Sequence, residues 1–175
     1  TGVKASDIGR TIETTIKQRG YKPIANLSGH SLDQYTIHAG RSIPNIWSIG
    51  GFSLSDSSAY ACEPFVTTEQ GGGFVRNGQI KNIFAINSRK KTKDEQADKL
   101  LDFIWKNFNM LPFALRWITK EWEEKEARKL LEILVKKKAV QAYPVLIEVN
   151  EQRVAQAEHT FIPNDTGATV TTSAE

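Results

Sequence analysis

Several residue types that would point to a common class of protein are scarce in this chain of 175 residues. It has one cysteine, Cys62, so an internal disulfide framework is excluded and the reducing cytoplasm is the expected compartment. No run of about 20 apolar residues exists, so neither a membrane-spanning helix nor a membrane partner is predicted. CxxC pairs, HExxH and a Ser-centred elbow are also lacking, and Gly71 to Gly73 have no following Lys-Ser/Thr that would bind phosphate.

The chain also lacks a dominant block of charges of one sign. The chain is 39% hydrophobic and 25% charged with a net charge of +3, which is ordinary for a globular domain. Residues 93 to 161 could form a winged helix, but the last helix of that stretch is Leu-rich and ends in only three lysines. The charge pattern therefore does not favour a DNA-binding protein.

Hydrophobic periodicity predicts four helices. Ile8, Ile12 and Ile16 recur at helical spacing over residues 6–18, with Ser6 as the expected N-cap. Residues 93–108 place six apolar side chains on one helical face, and residues 123–138 begin acidic and end basic, as the helix dipole favours. A shorter helix is predicted within residues 113–122.

Strand patterns flank this helical stretch on both sides. Residues 59–66 and 83–86 have strand texture, and residues 145–162 are interpreted as a hairpin that turns at Asn150 to Gln152. Residues 167–173 could add a last strand. The order is β-rich, then all helical, then β-rich, which predicts an α+β domain with a helical insert.

Two of the three histidines, His30 and His38, lie eight residues apart in the Gly-flanked stretch NLSGHSLDQYTIHAG. Each could be an ordinary hydrogen-bonded loop residue. Two together in one short polar stretch also suit the wall of a cleft.

Two glutamates stand in strand-like contexts. Glu63 interrupts the apolar stretch YACEPF, so it either lies at an edge in solvent or is paired or bound to metal. Glu158 shares a face with Gln156 and Thr160, which suits either a polar site floor or a solvated sheet face. His30 and the two carboxylates could converge on divalent Mn, Fe, Co or Zn, although many proteins contain such a set.

Four segments together resemble methionine aminopeptidase of type II, the archaeal and eukaryotic form. They are NLSGHSLDQYTIHAG, YACEPFV, AYPVLIEV and AQAEHT, in this order along the chain. The likeness extends over nearly all of the chain and includes the helical insert and the eight-residue step between the histidines. It implies the second half of a pita-bread fold, formed by residues 1–92 and 143–175, with a winged-helix-like insert at 93–142.

The resemblance also implies roles for individual residues in the removal of the initiator methionine. His30 would bind one of two divalent ions (Co, Mn, Fe or Zn), Glu63 would bind the same ion and act as the base, and Glu158 would bridge both ions. His38 would hydrogen-bond the substrate peptide and stabilise the tetrahedral intermediate. Tyr143 and Ile37 would line the pocket for the methionine side chain.

One departure from the family's pattern decides how the chain is interpreted. Nothing in it matches the two aspartate ligands of the family, since Asp7 and Asp33 lie in other contexts. The expected partner is therefore an N-terminal segment of the same enzyme that supplies both aspartates, acting on nascent peptides that begin with Met. The ribosome is a further candidate partner. The alternatives are a non-catalytic, ribosome-associated pita-bread binding protein and a proline-specific dipeptidase.

Overall fold

The computed structural model describes residues 2–173, which form four helices and eleven strands. No helix in this part of the chain is long and apolar enough to cross a membrane. In chain order the elements are α1 (Ala5–Lys17), β1 (Lys22–Pro23), β2 (Ser28–Leu32), β3 (Ser42–Pro44), β4 (Ala59–Cys62), β5 (Phe65–Thr67), β6 (Val75–Ile86), α2 (Glu95–Phe108), β7 (Phe113–Ala114), α3 (Leu115–Ile118), α4 (Glu124–Lys136), β8 (Val140–Glu148), β9 (Val154–Gln156), β10 (His159–Asn164) and β11 (Gly167–Val170).

The chain divides into two compact units. The first unit comprises Thr1–Arg76 with Leu146–Glu175, and the second unit comprises Asn77–Val145. The predicted insert, 93–142, falls inside the second unit, while its own boundaries stay a prediction. Helices and strands occur together, in agreement with the predicted α+β class.

The first unit contains two antiparallel sheets. One has the strand order β11-β10-β4-β2-β3 and the other the order β1-β5-β9. Helix α1 packs on β3 and β1. The core of this unit buries Ala5, Ile43, Leu54 and Tyr60, so the sheet that carries His30 has apolar packing on one face.

Helix α1 confirms the predicted stripe, because Ile12 and Ile16 are buried. The predicted cap was wrong: the helix begins at Ala5, the residue in the N-cap position is Lys4, and Ser6 is buried inside the first turn. A backbone hydrogen bond holds the helix start, since Ala5 N donates to Phe52 O at 3.0 Å. Tertiary contact therefore places the end of this helix, where a side-chain cap was expected.

The second unit packs its helices on a sheet of order β7-β6-β8. The predicted helices at 93–108 and 123–138 are confirmed as α2 and α4, and Asp94 caps α2 by accepting from Gln96 N and Ala97 N. The prediction that this stretch is all helical was wrong. Strand β7 pairs with β6, and the short helix α3 has only four residues. The core of this unit combines residues of the helices and of the sheet: Phe84, Ile86, Leu100, Leu101, Ile104, Phe113, Ile118, Leu130, Leu131, Leu134 and Val140.

The hairpin predicted at 145–162 was wrong. The chain does turn after β8, where Glu151 N donates to Glu148 O at 2.8 Å. However, β8 pairs in the sheet of β6, whereas β9 pairs with β5 in the first unit. Alternating texture identified both strands, but it does not specify which strand each of them pairs with.

A buried carboxylate holds the turn after β8. Glu148 is 2% exposed and accepts from four backbone N–H groups, those of Gly72 (2.6 Å), Gly73 (3.0 Å), Asn150 (2.7 Å) and Gln152 (3.2 Å). Burial alone would raise the pKa of the Glu148 carboxyl, but the four donors outweigh it and the pKa is lowered. The ionised side chain thus joins the glycine-rich loop at 71–73 to the start of the β9 segment.

Replacing Glu148 by glutamine should destabilise the fold in a pH-dependent way. A carboxyl with a lowered pKa contributes stability above its ordinary pKa and loses it as the pH falls through the folded-state value. We expect Glu148→Gln to lower the Tm by several degrees at pH 7. The difference in Tm from wild type should shrink when the pH falls below the ordinary pKa of a glutamate carboxyl. Thermal unfolding monitored by circular dichroism from pH 3 to 8 measures this.

The matched control is Glu151→Gln, which removes an exposed carboxylate that pairs with Arg76 at 3.1 Å. Exposed pairs contribute little, so this variant should shift the Tm by less than about 2 °C. Equal shifts for the two variants would contradict a structural role for the Glu148 carboxylate.

Candidate functional site

His30 lies on β2, a strand that is held between β3 and β4. Its register partners are Ser42 on one side and Ala61 on the other. The preceding residue has to be glycine, because a Cβ on Gly29 would lie 2.2 Å from the carbonyl oxygen of Ala61. The close approach of β2 to β4 therefore fixes the imidazole relative to the residues that follow β4.

Glu63 comes directly after β4 and meets His30. The His30 Nε2 and Glu63 Oε1 atoms are 2.7 Å apart, and both side chains are 13% exposed. Glu63 Oε1 and, on the other side of the imidazole, His30 Nδ1 are buried without a hydrogen-bond partner among the described residues. An imidazole nitrogen and a carboxylate oxygen that lie this close suit joint binding of a cation.

Glu63 and Glu158 face each other across one antiparallel ribbon. His159 pairs with Cys62 in the β10–β4 ladder, and Gln156 pairs with Phe65 in the β9–β5 ladder. The two registers are continuous, so Glu158 is the residue opposite Glu63 where the ladder is interrupted. Like charges in facing positions repel each other.

The electrostatics of Glu63 reflect this position. Burial, followed by the charge of Glu158, raises the pKa of the Glu63 carboxyl to about 7. A carboxyl with such a pKa can both accept and release a proton near neutral pH. Perturbed carboxyls of this kind are typical of functional sites.

His38 is brought back to His30 by a compact loop. Asp33 and Thr36 exchange two backbone hydrogen bonds of 3.0 Å, and Ala39 N then donates to Ser31 O at 2.9 Å. The two imidazole centroids lie 4.4 Å apart in an edge-to-face arrangement. Desolvation, and then the neighbouring His30, lower the pKa of His38, which favours the neutral ring.

Both histidines line a cleft of about 330 Å³. Ser28, Arg41 and Ser42 contribute further polar side chains to its wall. The cleft is therefore polar at the histidines.

The side chains of Ile37, Tyr143 and His159 form no hydrogen bond with His30, Glu63 or Glu158 in the described part of the chain. Ile37 is half-buried in the loop before His38. Tyr143 lies on β8 in the second unit, its hydroxyl contacts the Gln141 amide, and burial raises its pKa although Gln141 acts in the opposite direction. A role for either residue in a methionine pocket stays a prediction. His159 bonds the Thr172 hydroxyl at 3.1 Å, away from Glu158.

The donor types fit part of a metal site. An imidazole nitrogen and carboxylate oxygens suit divalent Mn, Fe, Co or Zn. In the described part of the chain, His30 Nδ1 and Glu63 Oε1 are buried without hydrogen-bond partners. Within residues 2–173, however, no group of three or more His, Cys, Asp or Glu side chains converges as a metal site. The described residues thus supply an incomplete ligand set.

Sequence reasoning gave Gln156 only a place on a polar face and gave Glu148 no role. Gln156 was placed on the same face as Glu158, and its amide contacts both glutamates. Glu148 was missed because a carboxylate at a strand end gives no local signal of the four N–H groups it accepts from.

Comparison with known proteins identifies relatives of the chain. No family model matches it. Curated archaeal proteins named methionine aminopeptidase share 36–43% identity with it. The one from Saccharolobus solfataricus is 43% identical over 164 residues, which are 92% of this chain and 54% of that protein. The chain spans about half the length of the curated relatives it matches.

Solved structures match at the level of the fold. A thermophilic Arx1 superposes with a TM-score of 0.77 at 19% identity, covering 96% of this chain and 45% of that one. A methionine aminopeptidase from Thermotoga maritima has a TM-score of 0.54 at 18% identity, covering 99% and 44%. These neighbours are consistent with the predicted pita-bread fold.

Removing one of the facing carboxylates should stabilise the metal-free chain. Glu63→Gln ends the repulsion from Glu158, which across two strands is about 0.2–1 kcal/mol. We expect a higher urea midpoint at pH 8 in the presence of a chelator, measured by fluorescence. Glu69→Gln, an exposed carboxylate nearby, is the control and should leave the midpoint unchanged. A lower urea midpoint for Glu63→Gln than for wild type would contradict a net repulsion between the Glu63 and Glu158 carboxylates.

Proposed function

Because the chain is homologous to the methionine aminopeptidases over nearly its whole length, we propose that the protein to which it belongs removes the N-terminal methionine from newly made polypeptides. The observation that carries the proposal is the juxtaposition of His30 with Glu63, which lies opposite Glu158. Nascent chains are made in the cytoplasm, at the ribosome, and the proposal places the protein there.

Two divalent metal ions (Co, Mn, Fe or Zn) are the proposed cofactor. His30, Glu63 and Glu158 would be their ligands in this chain. Glu63 Oε1 is buried without a hydrogen-bond partner among residues 2–173 and lies 2.7 Å from His30 Nε2, which supports this assignment. When bound, such ions lower the pKa of water and polarise a carbonyl group.

The chain's own residues have distinct proposed tasks. Glu63 takes a proton from the attacking water and delivers it to the leaving amine. His38, kept neutral by its lowered pKa, donates a hydrogen bond to the oxygen where negative charge develops. Ile37 and Tyr143 contribute apolar surface to the methionine pocket.

The remaining metal ligands are proposed to be two aspartates from an N-terminal segment outside this chain. The incomplete ligand set of the described residues and the length of the relatives, about twice that of this chain, support this view. The rival function is a non-catalytic binding protein of the same fold. The retained His30, Glu63, Glu158 and His38 speak against it, since binding alone does not require them.

The division of the site between two segments can be tested by complementation. We expect this chain alone to release no methionine from a Met-Gly-type peptide, because its metals would be poorly held. Adding the N-terminal half of a homologous aminopeptidase should restore release, and a chelator should abolish it again. Methionine release followed by chromatography is the measurement. Activity of the isolated chain would contradict the proposed division, and a full-length protein with neither metal nor activity would favour the binding protein.

Substitutions in the full-length protein separate the two proposed chemical roles. Glu63→Gln should lower kcat by about 10²–10⁴-fold, the usual contribution of a general base. His38→Ala should lower kcat by about 10²–10³-fold through loss of one donor to the developing charge. Steady-state kinetics at saturating metal measures both effects.

His159→Ala is the matched control, because its ring bonds Thr172 and points away from Glu158. It should retain kcat within about threefold. A His38→Ala variant with the kcat of His159→Ala would remove His38 from the proposed mechanism.

A further inference from the structure

One neutral side chain lies between the two facing carboxylates. Gln156 Nε2 is 3.1 Å from Glu63 Oε2 and 3.4 Å from Glu158 Oε2, so a single amide nitrogen reaches both groups. No other donor to either carboxylate is found in the described part of the chain with hydrogen-bond geometry. The amide is therefore the internal link between two acids that otherwise repel each other.

We propose that Gln156 is a positioning residue that orients Glu63 and Glu158 for joint binding of divalent cations. This inference rests on the proposed function, since it assigns the amide to the same metal site. Gln156 itself is not a ligand in the proposal, because the nitrogen that faces the carboxylates is a donor and carries no lone pair for a metal.

A glutamine suits this place for a chemical reason. Its NH₂ group has two hydrogens, one for each carboxylate, and it adds no charge. A lysine or arginine would neutralise the site and compete with a cation, whereas a third carboxylate would add repulsion. The neutral amide lowers the cost of the facing acids and leaves their negative charge available to metal.

The contact also determines which oxygens stay free. The amide engages Oε2 of Glu63. The other oxygen, Oε1, lies 2.7 Å from His30 Nε2 and is buried without a hydrogen-bond partner in residues 2–173. Fixing one oxygen of a carboxylate restricts rotation of the group. The free oxygen is thereby held beside the imidazole, as two ligands of one ion require.

The backbone holds Gln156 in this position. It lies at the end of β9, in register with Phe65, and Ala157 N donates to Pro64 O at 3.2 Å. Pro64 has no N–H to return, so the ladder opens at this point. The register thus places the amide two residues from Glu158 and beside Glu63.

Metal affinity of the metal-free, full-length protein is the first readout. We expect Gln156→Leu to weaken Mn²⁺ binding by about 10–100-fold, the usual effect of losing a partner that orients metal ligands. The loss of activity should be recovered at high Mn²⁺, because the amide does not touch the reacting atoms. Isothermal titration calorimetry and kcat at saturating Mn²⁺ measure the two effects.

Gln152→Leu is the matched control. Its amide oxygen accepts from the Thr68 hydroxyl at 3.1 Å, and its side chain contacts neither Glu63 nor Glu158. This variant should bind Mn²⁺ as wild type does. Equal affinities for wild type and Gln156→Leu, or equal losses for the two Leu variants, would overturn the positioning role.

A second readout needs no variant and therefore does not depend on whether one folds. In the metal-free protein, the side-chain NH₂ of Gln156 should exchange with solvent more slowly than that of Gln152, which has no acceptor for these hydrogens among residues 2–173. Hydrogen exchange followed by NMR measures both groups, and equal rates would count against the bridge.

The two proposals fail in different ways. Wild-type protein that binds no Mn²⁺ and releases no methionine would overturn the proposed function and this role with it. Wild-type protein that binds Mn²⁺ and is active, with Gln156→Leu indistinguishable from it, would overturn the role of Gln156 alone.

Discussion

Glu63 and Glu158 occupy facing positions of one antiparallel ribbon, and the rest of the site depends on that placement. Two acids so placed repel each other unless a proton, a donor or a cation lies between them. Two of these effects are seen here. The pKa of Glu63 is raised to about 7, which favours its protonation, and the Gln156 amide donates to both carboxylates. A site that has to bind cations gains from this arrangement, because its ligands are kept close and are not fully neutralised.

The strands and loops around the ribbon determine where these side chains lie. Gly29 allows β2 to approach β4 closely, which brings His30 to Glu63. On the other side, the buried Glu148 carboxylate ties the glycine-rich loop to the turn after β8. The next strand, β9, then runs along β5 with Gln156 in register. The same unit thus contains a carboxyl with a lowered pKa, Glu148, and one with a raised pKa, Glu63.

The incompleteness of the site is consistent with the length of the relatives. Among the described residues no three potential ligands converge, and the curated relatives extend for about as many residues again. His30 Nδ1 and Glu63 Oε1 are buried without hydrogen-bond partners among the described residues, a state that is costly unless a ligand or another group supplies one.

The sequence by itself determined the helices of both units, because Ile12 and Ile16 or Leu130 and Leu134 repeat at a spacing that only a helix turns to one face. The motif segments also identified His30, Glu63 and Glu158 as candidates through their resemblance to a family. Only the tertiary structure decided that β9 pairs with β5, that Glu63 and Glu158 face each other, and that Gln156 lies between them. The physical reason is that local periodicity sets which face a side chain occupies, whereas the register between strands distant in the chain sets what it meets.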